Sequence, residues 1–157
     1  MDLIIGATAT LAILALAVIF GTDVVSAVVF RPVYAEIDDR SLVQVTGRGH
    51  YYGDRRLPIV GILGTVLTAA TAVLSFVWGT PVTAVAGGLA LLLLLVWLTL
   101  FARISAPINK KLTAAALSDQ VPADARALQA RWESIIPLRA VLLGLSILLL
   151  CATILLG

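Results

Sequence analysis

The chain has one cysteine, one histidine and one methionine in 157 residues. Cys151 alone closes no intrachain disulfide, and without a Cys-x-x-C pair the chain lacks the thiol relay of quinone-coupled membrane oxidoreductases. Packing is the role expected of it. A single histidine excludes a two-histidine facial triad, a blue-copper ligand set and bis-histidine haem ligation within one chain. Charge is scarce as well: Asp, Glu, Lys and Arg make up 13% of the residues, against about 25% in an ordinary soluble domain. The net charge of +2 is too small and too confined to the loops to suggest a nucleic-acid partner. No G-x-S-x-G, P-loop or dinucleotide fingerprint occurs in a suitable context, and "GTPVTAVAGG" at 79–88 reads as a turn leading into a helix.

What fills the chain instead is apolar residues, 61% of the total. Four runs, at 3–22, 59–78, 82–101 and 137–156, each reach the roughly 20 residues that carry a helix across a bilayer. A helix satisfies its own backbone polar groups, which lipid cannot do. The expected fold is therefore all-α: an integral membrane four-helix bundle forming a single domain over 1–157, built of two helical hairpins. The first run follows only Met1 and Asp2 and lacks a basic n-region, so it reads as a retained helix.

Every lysine and arginine lies in one of two connections. Arg31, Arg40, Arg48, Arg55 and Arg56 follow the first run, and Arg103, Lys110, Lys111, Arg126, Arg131 and Arg139 surround the link between the third and fourth. Both connections fall on one side, which the positive-inside rule assigns to the cytoplasm, with both termini outside. Those residues suit contact with anionic lipid, so the bilayer itself is the first expected partner. Both hairpins are expected to continue as helix beyond the bilayer. Ser41 or Asp39 is a candidate cap for the second helix, and Pro122 suits an early position of the fourth.

Spacing assigns faces. Val43, Gly47, His50, Asp54, Leu57, Gly61, Gly64 and Thr68 recur at intervals of three and four, the signature of one helix face. Leu16, Phe20, Asp23, Ala27 and Phe30 do the same on the first helix, Ser105, Asn109 and Leu112 on the third, and Leu128, Trp132, Ile135 and Arg139 on the fourth. Counting about 20 residues inward from the outer ends places Asp23, Arg103 and Arg139 at the edge of the hydrocarbon. His50, Asp54, Asn109 and Trp132 then fall roughly 7–14 Å below it. Pro58, Pro107 and Pro137 lie in the same slab, where kinks would open a cavity.

Ionisable groups inside a membrane bundle are costly, so they mark candidate functional positions. His50 and Asp54 stand four apart, close enough for the carboxylate to orient the imidazole and strengthen it as a general base. Asp23 interrupts a greasy helix, with Arg139, Arg103 or Arg56 as structural partners and a catalytic role as the alternative. Arg139 and Asn109 are candidate donors to a developing substrate oxyanion, and Trp132 a candidate wall for a flat ligand. Metal binding is not demanded by any ligand spacing. If a metal is present, His50, Asp54 and Asp23 are the residues to hold it.

The segments "GTDVVSAVVFRPVY", "HYYGDRRLPIVGILG", "RISAPINKKL" and "ALQARWESIIPLR" together resemble the anthrone oxygenase-like family of small four-helix membrane proteins, over nearly the whole chain. The clearest elements are "PIN" at 107–109 and the spacing of Trp132 and Arg139. The resemblance implies an oxygenase or oxidoreductase acting on a lipophilic, anthrone- or phenol-like aromatic substrate. It implicates Asn109, Trp132, Arg139 and, more loosely, His50; the cofactor stays open between none beyond O2 and a metal. The alternatives are a non-enzymatic scaffold or lipid-binding or small-molecule-binding protein, and a small transporter using Asp23. A homo-oligomer is compatible with each.

Overall fold

The computed structural model describes residues 2–157. Those residues form four long helices and no strand: α1 (Asp2–Glu36), α2 (Asp39–Trp78), α3 (Pro81–Leu117) and α4 (Ala125–Leu155). All four are long and apolar enough to cross a membrane, so the chain is built as a multi-pass membrane protein. The 40 residues of α2 rise about 60 Å, twice the roughly 30 Å of a hydrocarbon core. The expected helical extensions are therefore present, on the end that carries the α1–α2 and α3–α4 connections.

The helices pack as a four-sided bundle in which α1 and α3 each lie against both α2 and α4. Small residues permit the approach: Ala9 and Ala12 on α1 and Ala90 on α3 are fully buried, beside Leu16, Leu94, Leu143 and Leu150. Lipid offers no hydrophobic drive between helices, so contact relies on such small residues and on interhelical hydrogen bonds. Ser146 on α4 supplies one, donating to the Ala90 carbonyl across 3.0 Å. Leu11, Leu14, Ile62, Val66 and Leu148 face outward, as a lipid-contacting surface requires.

A second cluster, Val43, Ala115, Ala116 and Ala125, closes the extended end. There Gly47 touches α3 so closely that an added Cβ would sit 2.3 Å from the Leu112 carbonyl oxygen and 2.5 Å from Ala116 Cβ. Arg126 ties the two connections together, meeting Asp39 at 2.7 Å and donating to the carbonyls of Tyr34 and Ile37. Arg40 reaches Asp119 at 2.6 Å.

Two local expectations are corrected. The residue capping α2 is Asp38, whose carboxylate accepts from the Ser41 backbone N–H at 3.0 Å and the Ser41 hydroxyl at 2.6 Å. Those two donors hold its carboxyl below the ordinary carboxylate range. Asp39 and Ser41 are already helical. Pro122 stays in the connection and α4 begins at Ala125, the chain having first turned through Asp119 at φ 55°.

Proline acts in two ways. Pro58 and Pro137 sit within continuous helix, whereas Pro32 and Pro107 each follow a π-helical turn, Ser26–Phe30 and Phe101–Ser105. A proline ring collides with the carbonyl four residues back, and in both cases that residue, Val28 or Arg103, lies inside the wider turn. The turn's own bonds run five residues back, from the Arg31 N–H to Ser26 and from the Ala106 N–H to Phe101. Such bulges redirect a helix, and both lie at the level where the polar residues gather.

Candidate functional site

Two polar layers cross the bundle near its middle. The first joins three helices. Arg139 on α4 donates from Nη2 to Asp23 Oδ1 on α1 at 2.8 Å, and from Nη1 to Ser105 Oγ on α3 at 2.7 Å. Trp97 Nε1 donates to the other Asp23 oxygen at 3.0 Å. The guanidinium carbon lies 4.8 Å from the Trp97 ring centroid, and Trp97 stacks on Phe101 at 5.7 Å. Both charged side chains are almost wholly enclosed, 6% exposed for Arg139 and 4% for Asp23. An ion pair so buried holds because each partner neutralises the other and most of the remaining lone pairs and N–H groups are bonded, Arg139 Nε being the exception.

The second layer lies about two turns away along α4. Asn109 on α3 donates from Nδ2 to both oxygens of Asp54 on α2, at 2.9 and 3.2 Å, and its Oδ1 accepts from Trp132 Nε1 on α4 at 2.9 Å. The His50 ring sits 5.3 Å from that of Trp132. His50 Nε2 is buried without a hydrogen-bond partner, as are Arg139 Nε and Gln129 Oε1.

Alongside both layers runs a cavity of about 770 Å³, within the range of small-molecule sites. Asp23, His50, Asp54, Asn109, Trp132 and Arg139 all line it. The structure thus brings to one hollow the six candidate site residues that the sequence placed on separate helices. Its rear wall is α3 and α4, and its exposed lining residues, among them Val18, Thr22, Val25, Gly49, Asp54 and Ile62, all belong to α1 and α2. The mouth accordingly opens sideways between these two helices.

The partners differ from those expected. No hydrogen bond joins His50 to Asp54 among the described residues. A spacing of four puts both on one face, but the Asn109 amide reaches the carboxylate from the facing helix and takes both oxygens. Asn109 is consequently fully engaged, and Arg139 has only Nε without a partner. Asp23 has the structural partner offered first, Arg139. Nor do His50, Asp54 and Asp23 form a ligand set: no group of three or more His, Cys, Asp or Glu side chains that could hold a metal ion occurs among the described residues. Lys110 and Lys111 point out, and Asn109 in, as their spacing implied.

Gln129 is a buried polar lining residue that sequence reasoning missed. It is 3% exposed and donates to Glu133 at 2.9 Å. A signal was available, because Gln129, Glu133 and Pro137 repeat on α4 the spacing of His50, Asp54 and Pro58 on α2. Trp97, which also lines the cavity, was hidden in an apolar run that offered no reason to separate it from lipid-facing neighbours. No family model, curated protein or solved structure matches the chain.

Proposed function

We propose that the cavity is the active site of a membrane-bound oxygenase or oxidoreductase acting on a lipophilic aromatic substrate, anthrone- or phenol-like, with O2 as oxidant. The observation that carries this reading is His50: a buried imidazole nitrogen with no protein partner, on the wall of an apolar hollow open to the side. An unbonded buried nitrogen is costly unless a ligand or water completes it. The resemblance to the anthrone oxygenase-like family supports the choice of substrate class. The basic residues of the two connections support a cytoplasmic placement of this end, with both termini outside.

In this reading a substrate enters between α1 and α2 and lays its ring against Trp132. His50 Nε2 takes a proton from the acidic ring CH2, and the C–H electron pair remains on the ring as an enolate. The enolate passes one electron to O2, and the resulting radical and superoxide combine to form a C–O bond. Loss of the second ring proton with cleavage of the O–O bond leaves a carbonyl and water, so CH2 and O2 become C=O and H2O. Asn109 acts by fixing Asp54 and Trp132, and the Arg139 Nε–H faces the developing oxyanion.

Asp23 has no free oxygen in this scheme. Its pairing with Arg139 and Trp97 favours a structural role for that layer, the feature a non-enzymatic scaffold would share, and leaves a transporter without a coupling carboxylate. Oxygen uptake by the purified protein with anthrone-like phenols distinguishes the readings. The oxygenase reading predicts uptake by the wild type and its loss in a folded His50→Ala variant. Undiminished uptake in that variant, or none in the wild type, would refute it.

A further inference from the structure

The cavity is longer than a fused aromatic head requires. Its lining runs from Ala17 to Tyr34 on α1 and from Thr46 to Ile62 on α2, about 24–26 Å at the helical rise. The two ends differ in character. Toward the extended end stand His50, Asp54, Asn109 and Gln129, while the stretch reaching into the apolar run is walled by Val18, Gly21, Leu57, Gly61, Ile62 and Leu98. The result is a slot polar at one end, flanked near its middle by the enclosed Asp23–Arg139 pair, and greasy toward the other end.

Glycine shapes the greasy half. A Cβ added at Gly21 or Gly61 meets nothing within 4 Å, unlike Gly47 or Gly64, where it would strike the facing helix. Gly21 and Gly61 therefore do not serve helix packing; they leave backbone bare along the slot. At the polar end the partnerless Gln129 Oε1 and His50 Nε2 mark where a ligand's polar atoms would complete the site.

Resting on the proposed substrate site, we infer that its ligand is an amphiphile, an aromatic hydroxyl head carrying a long hydrocarbon chain. The head occupies the His50–Gln129–Trp132 end, where a phenolic O–H donates to Gln129 Oε1 or His50 Nε2. The chain lies along Gly21 and Gly61 toward the bilayer centre. A side opening suits this occupant, because the chain passes directly from lipid to slot.

The test compares two probes on protein in lipid nanodiscs: a hydroquinone with a long alkyl chain and the same head bearing only a methyl group. Gly61→Leu and, on the facing helix, Gly21→Leu fill the slot where space is open, so both variants are expected to keep wild-type melting temperatures. Each is expected to weaken the chain-bearing probe about tenfold or more, the equivalent of about two buried methylene groups, and to leave the methyl probe unchanged. Equal weakening of both probes, or of neither, would overturn the chain assignment. So would a co-purified phospholipid displaced by Gly61→Leu with both probes unaffected, which would assign the slot to bulk lipid. If the methyl probe still binds and needs His50, only the chain assignment falls; if neither probe binds the wild type, the proposed substrate site falls with it.

Discussion

Replacing Asp23 by asparagine isolates the charge of the inner polar layer. The amide side chain keeps an oxygen for the Trp97 N–H and nearly the same volume, but leaves the Arg139 guanidinium, 6% exposed, without its counter-charge. Two effects compete in size. A lost interhelical hydrogen bond in a membrane bundle costs about 0.6 kcal/mol and at most about 1.7. An unneutralised buried charge left by its partner costs about 3–5 kcal/mol. Asp23→Asn should therefore destabilise the bundle by about 3–5 kcal/mol, and Ser105→Ala, which removes only the hydroxyl that accepts from Arg139, by about 0.6–1.7. Replacing both members, Asp23→Leu with Arg139→Leu, should recover much of the loss, since an apolar pair leaves no buried charge. Unfolding in mixed micelles by added denaturing detergent measures all three. An Asp23→Asn protein no less stable than Ser105→Ala would show that the pair is not an electrostatic joint.

Other expectations follow from single contacts. Gly47→Ala should destabilise by about 1–3 kcal/mol despite the helix-propensity gain of about 1, because its Cβ meets α3 backbone; thermal unfolding beside Gly61→Ala, predicted to be neutral or stabilising, checks this. The Asp38 cap depends on pH. Its carboxyl is held low by Ser41, so its stabilising effect is complete above the ordinary aspartate value near about 4 and fades as pH falls through the lower folded-state value. Carboxyl NMR titration should show Asp38 moving up in Ser41→Ala; an unmoved value would dismiss the Ser41 hydroxyl as a donor to it. Asn109→Leu should free Asp54 and the Trp132 indole together, so a shifted Trp132 side-chain N–H resonance in that variant tests the joint.

Much of the site could be read from spacing. His50, Asp54, Asn109, Trp132 and Arg139 share inward faces because a period of 3.6 residues fixes which side chains stack along a helix. Depth followed from counting residues against bilayer thickness. Pairing across helices could not be read this way. The choice of Asn109 over His50 as partner of Asp54 depends on the rotation and offset of α3 against α2, which no pattern within one helix encodes. The π-helical turns before Pro32 and Pro107 escaped for a related reason: a proline announces a disturbed helix, but whether the backbone kinks or widens depends on its neighbours. Pro122 illustrates the limit of propensity, since a proline suited to a first helical turn serves equally in the loop before it.

If His50 removes a proton from an aromatic substrate held in the cavity, mixing without oxygen separates that step from everything after it. An anthrone added anaerobically to wild-type protein should develop the long-wavelength absorption of its enolate, and His50→Gln, with a similar shape but no basic nitrogen, should not. An equal enolate band in His50→Gln, or no band in the wild type, would contradict the account.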